Sequence, residues 1–109
     1  MLAGHFLPDK IFPYKSIDGI NLNLHLFQAI TSDDALTPCI IFFFGGGWIG
    51  GSPTQFYPHC RYFADRGMLA LAAEYRVQNQ HGTTPFECVK DGKSALRYIR
   101  KHVADLRIN

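Results

Sequence analysis

Residues 39–53 read CIIFFFGGGWIGGSP, and this stretch decides the predicted fold. The run from Cys39 to Phe44 has no polar alternation, which is typical of a strand buried on both faces in a parallel sheet. Three glycines follow at once, and glycine leaves backbone N–H groups that no side chain can cover. Such groups can approach an oxygen atom that carries negative charge. The stretch therefore predicts a buried strand over residues 39–44 and a binding loop over residues 45–52.

The residues after this loop predict a β-α-β unit. Residues 52–55, SPTQ, have the spacing of a helix capping box with proline in the first turn. The helix predicted over residues 53–66 stops before a glycine, and Pro58 is expected to delay or kink its first turn. A second continuous apolar run predicts a buried strand over residues 68–75. Two such strands joined by a helix pair in parallel through a right-handed crossover.

A long helix is predicted over residues 85–106. Residues 84–87, TPFE, form another capping box at its start. The clustered basic residues lie on this helix at helical spacing, which indicates a solvated face rather than a nucleic-acid surface. The apolar stripe that should face the sheet consists of Cys88, Gly92, Ala95, Ile99 and Val103.

Residues 10–28 predict an antiparallel hairpin. Asp18-Gly19 is a favoured two-residue turn, and leucines then alternate with polar residues over residues 21–26, NLNLHL. Alternation indicates one buried and one solvated face, so we expect the second hairpin strand at an edge of the sheet. His25 falls on the polar side and is expected to be exposed, without a functional role.

The predicted element order gives an α/β fold: an antiparallel hairpin, then β-α-β-α of a parallel sheet. Only two parallel strands are predicted, and they cannot cover both of their own edges, so an apolar edge would face water. The pattern is typical of the first half of a doubly wound domain. We expect either that strands beyond these 109 residues complete the sheet or that the edge pairs with a second copy of the chain.

Composition excludes several classes of function. A hydrophobic content of 47% and a net charge of +2 indicate a globular domain without a nucleic-acid partner. The three cysteines are widely spaced, which argues against a disulfide framework and a structural zinc site; no metal or cofactor is expected. No run reaches the roughly 18 apolar residues of a membrane span, and the N-terminus lacks a signal-peptide pattern. The compartment stays open between the cytoplasm and secretion with a removed signal.

Three interpretations of the glycine loop compete. Gly45-x-Gly47-x-x-Gly50 fits a dinucleotide-binding fingerprint, with Glu74 at the end of the next strand. That fingerprint needs a helix that starts within the glycines, whereas residues 51–53 postpone the helix. A purely structural turn needs fewer glycines. An oxyanion loop, which follows the third strand and precedes the first helix of certain hydrolases, agrees with the predicted order of elements.

The residues around the loop carry a resemblance to a known family. Residues 44–48, FGGGW, resemble the His-Gly-Gly-Gly-Trp loop of the esterase/lipase branch of the α/β-hydrolases, and in particular of feruloyl and acetylxylan esterases. Residues 73–77, AEYRV, are similar to the family's Asp-Tyr-Arg segment. Residues 91–100 are similar to the helix that leads into the nucleophile strand. Phe44 stands where many relatives have histidine.

This resemblance implies the N-terminal half of an α/β-hydrolase fold and part of an active site. The backbone N–H groups of Gly46, Gly47 and Trp48 would form the oxyanion hole of a carboxylic-ester hydrolase, and the resemblance implies acylated carbohydrates as candidate substrates. The family order places the Gly-x-Ser-x-Gly nucleophile, then the acid and the histidine, after Asn109, and the chain contains no such motif. We therefore expect the isolated chain to be inactive. A non-catalytic assembly module and a dinucleotide-binding unit stay open as alternatives.

Other polar residues are weaker candidates. Trp48 and His81 lie in loops on the carboxyl side of the predicted strands and are predicted to line the substrate pocket. The serines and the remaining histidines have no evident partners: Ser52 caps a helix, and Ser94 lies within one. Asp91 is predicted to form a structural ion pair with Arg76 or with another arginine.

Overall fold

The computed structural model describes residues 7–31, 36–44, 52–77 and 81–108. The secondary structure runs in this order: β1 (Lys10–Ile17), β2 (Ile20–Phe27), β3 (Cys39–Phe43), a 3-10 helix (Pro53–Phe56), α1 (Tyr57–Ala64), β4 (Leu69–Ala73), α2 (Pro85–Lys101) and α3 (Val103–Leu106). The predicted elements are all present among these residues. Their bounds differ from the prediction at several ends.

The four strands form one mixed sheet in the order β1-β2-β4-β3. β2 pairs antiparallel with β1 and with β4, whereas β3 and β4 pair in parallel from Cys39 opposite Leu69 to Phe43 opposite Ala73. The predicted parallel pairing of the β-α-β unit is confirmed. The predicted edge position of the second hairpin strand is wrong, because β2 lies between two neighbours and β1 is the outer strand.

The expectation of an exposed His25 is also wrong. This residue is only 8% exposed, because α1, and not water, covers the face of β2 that carries it. Phe27 on the same face packs with Cys60 and Ala64 of α1. Alternating polarity identified two faces of the strand correctly, but it did not tell which element covers each face.

The first predicted helix is divided by the effect of Pro58. Residues 53–56 form a 3-10 turn, and α1 begins only at Tyr57, with Pro58 in its first turn. Proline lacks an N–H group to donate within a helix, so it is favoured at such a start. The side chain of Ser52 accepts from the Thr54 N–H group at 3.3 Å, a different residue from the one that a capping box requires.

The second predicted helix is interrupted near its end. α2 stops at Lys101, and the short α3 follows after His102. Glu87 accepts a hydrogen bond from the Thr84 N–H group at 2.6 Å, as the predicted capping box requires. The predicted apolar stripe needs one correction: Val103 is exposed, whereas Asp91 is fully buried in the middle of the stripe.

The sheet is covered on both faces by helices. On one face, α2 contributes Ala95 and Ile99 to a core with leucines of β2 and β4. On the other face, α1 contributes Cys60 and Ala64 to a core with Phe27 and the alanines of β4. β4 is therefore buried along its whole length, and the chain that leaves it, residues 74–77, is held in a fixed place at the carboxyl end of the sheet.

Candidate active site at the carboxyl end of the parallel strands

The two parallel strands end side by side, at Phe43 and Ala73. Parallel strands present their carboxyl ends at one edge of the sheet, where ligands bind in doubly wound folds. A cleft of about 310 Å³ lies at this edge. Its lining residues are Asn21, Leu22, Phe44, Ser52, Pro53, Glu74, Tyr75 and His81. Phe44 and Ser52 are the described residues on either side of the glycines, and both line this cleft.

The predicted oxyanion donors lie outside the described residues. Gly46, Gly47 and Trp48 fall in the span 45–51, so their role stays a prediction. The described residue that follows this span is Ser52, and the first helical residue is Pro53. A helix that begins after the glycines, and not among them, is unlike the dinucleotide-binding arrangement in which the helix N-terminus meets the pyrophosphate.

Phe44, the last described residue before the glycines, is fastened to Tyr75. The two rings are stacked with centroids 4.3 Å apart and an interplanar angle of 16°. The Tyr75 hydroxyl group donates a hydrogen bond of 2.5 Å to the Phe44 carbonyl oxygen. Both residues are buried. Burial raises the pKa of Tyr75, and the neighbouring Cys88 adds to the shift, so the hydroxyl group keeps its proton and acts as a donor.

Glu74 stands at the cleft as a carboxylate that two residues of β2 hold. The Asn23 N–H group donates to Oε1 at 2.9 Å, and His25 Nε2 lies 2.7 Å from Oε2. Burial alone would raise the pKa of Glu74, but the hydrogen bonds from His25 and Asn23 outweigh it and lower the pKa. The carboxylate is therefore ionised at neutral pH, in a fixed orientation at the wall of the cleft.

His25 connects Glu74 to α1. Its Nδ1 atom lies 2.5 Å from the Tyr57 hydroxyl oxygen, on the opposite side of the ring from Glu74. In the neutral imidazole this network requires Nε2–H to donate to Glu74 and the Tyr57 hydroxyl group to donate to Nδ1. The sequence analysis missed this group of residues. The polar signal was present in His25 and Glu74, but nothing in the strand pattern showed that they face each other across β2 and β4.

Of the arginines left open as partners, Arg76 is the one that pairs with Asp91, and the ion pair has a third member. Asp91 Oδ1 accepts from Arg76 Nη2 at 2.9 Å and from Lys15 Nζ at 2.8 Å. Asp91 Oδ2 accepts from the backbone N–H group of Arg76 at 2.8 Å. Burial by itself would raise the pKa of this fully buried carboxyl group, but the bonds from Arg76 and Lys15 lower it. The group fixes the chain directly after the cleft residues.

His81 lies at the cleft, and its tautomer is set by the backbone. The Val77 N–H group donates to His81 Nδ1 at 3.0 Å, so the proton of the neutral ring resides on Nε2. The cleft therefore has a carboxylate acceptor, Glu74, and a ring that carries an N–H donor, His81. The substrate-binding role of His81 stays a prediction.

The remaining candidates are not brought together among the described residues. Ser94 donates to the Lys90 carbonyl oxygen, and His102 Nδ1 lies 2.8 Å from the Tyr98 carbonyl oxygen. Cys88 donates through its thiol to the Arg76 carbonyl oxygen at 2.8 Å. Each of these groups has a local structural partner, and none of the three pairs a nucleophile with a base.

The described residues form neither a metal-binding cluster nor a helix that could cross a membrane. Across residues 7–31, 36–44, 52–77 and 81–108, no three His, Cys, Asp or Glu side chains are grouped so as to hold a metal ion. In the same ranges, no helix has the length and apolar character that a bilayer crossing requires.

Known esterases share this fold. A BD-FAE family match covers residues 24–109. The thermophilic esterase Est2 of the planctomycete Thermogutta terrifontis with butyrate bound is 44% identical, with a TM-score of 0.86 over 91% of this chain and 36% of that chain. Its propionate-bound form is 40% identical, with a TM-score of 0.89 over 99% and 40%. The form phosphorylated by paraoxon is 44% identical, with a TM-score of 0.86 over 91% and 38%. Curated proteins give no match.

These comparisons confirm the predicted α/β-hydrolase fold and the esterase resemblance. The chain spans about 36 to 40% of the length of those esterase chains, which agrees with the prediction of an esterase-like segment shorter than a whole enzyme. Because the family match extends over residues 24–109 of a 109-residue sequence, the chain belongs to the BD-FAE family.

Proposed function

We propose that this chain supplies the oxyanion loop of a serine carboxylic-ester hydrolase. The observation that carries the proposal is the position of the cleft: the described ends of the glycine loop, Phe44 and Ser52, line it at the carboxyl ends of β3 and β4. In α/β-hydrolases the loop after the third strand provides one oxyanion donor. The esterases to which the chain is similar hold butyrate or propionate, or are phosphorylated by paraoxon, which supports ester chemistry at such a site.

The chemistry assigned to the loop is stabilisation of negative charge. A serine attacks the ester carbonyl carbon, and the carbonyl oxygen becomes an alkoxide in the tetrahedral intermediate. The backbone N–H groups of Gly46, Gly47 and Trp48 donate to that oxygen. Removal of one such donor in a hydrolase typically lowers kcat by about 100- to 1,000-fold. The serine, the acid and the base come from residues that are not in this chain, so the chain alone is expected not to turn over an ester.

The cleft suggests what part of the substrate this chain would contact. Glu74 presents an ionised carboxylate, His81 carries an N–H donor, and Trp48 is predicted to add an apolar surface. An acceptor and a donor at one wall suit the hydroxyl groups of an acylated carbohydrate. We therefore propose a small carboxylic ester as the substrate, with the hydroxylated alcohol portion against Glu74 and His81.

A chimeric enzyme tests the proposal. Residues 1–109 replace the corresponding segment of the T. terrifontis esterase 2, and hydrolysis of 4-nitrophenyl butyrate is followed. We expect an active chimera, and no turnover above buffer by the 109-residue chain alone. In the chimera, Gly47→Pro removes one N–H donor and should lower kcat by about 100- to 1,000-fold, whereas Gly47→Ala retains the donor and serves as the matched control. A folded chimera without activity would contradict the proposal, and so would equal kcat values for the two variants.

A second candidate function is self-association, and β3 is the observation that favours it. This strand is apolar, its side chains are half-exposed, and among the described strands it pairs only with β4. An open apolar edge is a template for pairing with another chain. Native mass spectrometry of the 109-residue chain separates the two candidates. A stable dimer of defined mass would support the assembly module, and a chain that stays monomeric would contradict it.

A further inference from the structure

Phe44, the residue before the glycine loop, is held in place by Tyr75, and these two residues form a clamp. The Tyr75 hydroxyl group donates to the Phe44 carbonyl oxygen at 2.5 Å, and the two rings are stacked at 4.3 Å. Both residues belong to one small buried cluster with Val77 and Cys88. The contact joins the ends of two parallel strands directly beside the cleft, because Phe44 follows β3 and Tyr75 lies two residues after the end of β4.

Tyr75 is itself held in place by both of its neighbours in the chain. On one side, the Glu74 N–H group donates to the Asn23 carbonyl oxygen at 2.9 Å, and the Tyr14 hydroxyl group donates to the Glu74 carbonyl oxygen. On the other side, the Arg76 N–H group donates to Asp91 at 2.8 Å. Groups from β1, β2 and α2 thus hold a segment that is not part of a strand, and Tyr75 extends from this support toward Phe44.

The clamp acts on a peptide group that leads into the loop. A trans peptide unit is planar, and its C=O and N–H bonds point in opposite directions. Fixing the Phe44 carbonyl oxygen therefore fixes the orientation of the last described carbonyl group before the glycines. Glycines carry no side chains with which to hold a loop in one conformation, so precise placement of such a loop requires contacts from neighbouring elements.

We infer that Tyr75 is a positioning residue for the glycine loop, acting through its hydrogen bond to the Phe44 carbonyl oxygen. The catalytic meaning of this inference rests on the proposed oxyanion function, but the contact itself does not. Oxyanion donors are effective only when they are aimed at the place where charge develops, so a support of this kind contributes to kcat rather than to substrate affinity. A purely structural Tyr75 would stabilise the whole domain and have no selective effect on the loop.

Nuclear magnetic resonance of the 109-residue chain, labelled with ¹⁵N-glycine, tests the contact without any catalysis. Tyr75→Phe removes the hydroxyl group and keeps the ring. We expect amide exchange at Gly45 to Gly47 to become about three- to tenfold faster, which corresponds to the loss of one hydrogen bond, with chemical-shift changes at the same residues. Gly19 in the hairpin turn and Gly92 in α2 are internal references that should not change.

Two further variants separate the hydrogen bond from other effects. Tyr62→Phe is the matched control, because Tyr62 is exposed on α1 and its ring remains beside Arg66. Phe44→Leu removes the ring stack but retains the carbonyl oxygen, so the loop amides should stay close to those of the unmodified chain. Loop changes as large in Phe44→Leu as in Tyr75→Phe would overturn the inference. Equal changes at Gly19 and Gly92, or an unmodified chain without dispersed glycine signals, would also overturn it.

The chimera gives the catalytic readout. There, Tyr75→Phe should lower kcat about three- to tenfold and leave KM nearly unchanged, because the variant weakens transition-state binding alone. A change in KM with constant kcat would contradict the positioning role. The two proposals fail in different ways: an inactive chimera with a loop-selective effect of Tyr75→Phe refutes the esterase function only, and an active chimera without that effect refutes the inference only.

Discussion

The two edges of the sheet are built from opposite kinds of sequence. β1, residues 10–17, reads KIFPYKSI and contains a proline, two lysines and a register shift between Pro13 and Lys15. β3, residues 39–43, reads CIIFF, has neither proline nor charge, and keeps a regular register with β4. Lysine, proline and bulges are the usual devices that prevent an edge strand from pairing further. β1 has all of them, and β3 has none.

The difference shows which edge of the sheet has a sequence that suits permanent exposure to solvent. β1 has the properties of a permanent edge, and one of its lysines, Lys15, makes an internal bond to Asp91. β3 has the composition of a strand with a neighbour on each side, like β4 beside it. Yet Phe43 is 37% exposed, and the described residues provide β3 with one neighbour only. β3 therefore has an apolar composition that its single described neighbour does not cover.

The largest effect on the free energy of unfolding is expected from breaking the ion-pair group of Lys15, Asp91 and Arg76, which connects β1 to the chain after β4. Asp91→Asn keeps the size of the side chain but leaves the buried Arg76 guanidinium group without a counter-charge. Breaking one partner of a buried pair typically lowers the free energy of unfolding by about 3–5 kcal/mol. Urea unfolding of the two chains measures the difference.

The matched control is Asp105→Asn, since Asp105 lies exposed on the short α3. Surface substitutions of this kind usually change the free energy of unfolding by less than about 0.5 kcal/mol. Lys15→Met should fall between the two, because Arg76 retains its bonds to Asp91 in that variant. Similar losses for Asp91→Asn and Asp105→Asn would show that the buried group does not stabilise the β1 side of the sheet.

A smaller effect is expected at the other edge. Phe43→Lys places a charge on β3, and Ile11→Lys places one on β1, where the replaced side chain is 54% exposed. If the chain self-associates through β3, Phe43→Lys should weaken the dimer at least about tenfold, which is about 1.4 kcal/mol, and Ile11→Lys should have little influence. Sedimentation equilibrium of both variants measures the dissociation constant. The reverse order of effects would place the association at β1 instead.

The same contrast shows how far the sequence could predict this molecule. The run CIIFF and the capping residue Thr84 predicted the buried strand, its parallel pairing and the start of α2, whereas α1 begins four residues after the start predicted from Ser52. Local patterns of this sort depend on backbone geometry that each segment determines for itself. The position of β2 could not be predicted in this way, because a hairpin strand with alternating leucines suits an edge and an interior position equally well.

The polar network beside the cleft was hidden for a related reason. His25 lies in β2, Glu74 follows β4 and Tyr57 begins α1, and these positions are far apart in the sequence. Hydrophobic periodicity reports which residues share a face, but it does not report which polar residues on different elements meet. An arginine partner for Asp91, Arg76 or another, could be predicted because both the helix and the strand end had been located, whereas the bond to Lys15 required the position of β1.

The smallest effect on stability is expected when the carboxyl groups of Asp91 and Glu74 are protonated by acid rather than removed by mutation. The folded-state pKa values of Asp91 and Glu74 are lowered, so both carboxyl groups stabilise the fold at a pH above their unfolded values, near about 4. This stability is lost as the pH falls through the lower folded values, where the native carboxylates take up protons. Thermal unfolding between pH 7 and pH 2 should therefore show a falling Tm below about pH 4.

Asp91→Asn sharpens that titration, because it removes one of the two groups. The variant begins with a lower Tm at neutral pH, and its Tm should fall less steeply toward acid than that of the unmodified chain, since the contribution of Asp91 is no longer present to be lost. Parallel curves for the two chains would mean that protonation of Asp91 has no part in acid unfolding. At low pH the β1 edge would then be held by its strand pairing with β2 and by the Tyr14 hydrogen bond to the Glu74 carbonyl oxygen, and not by the charge of Asp91.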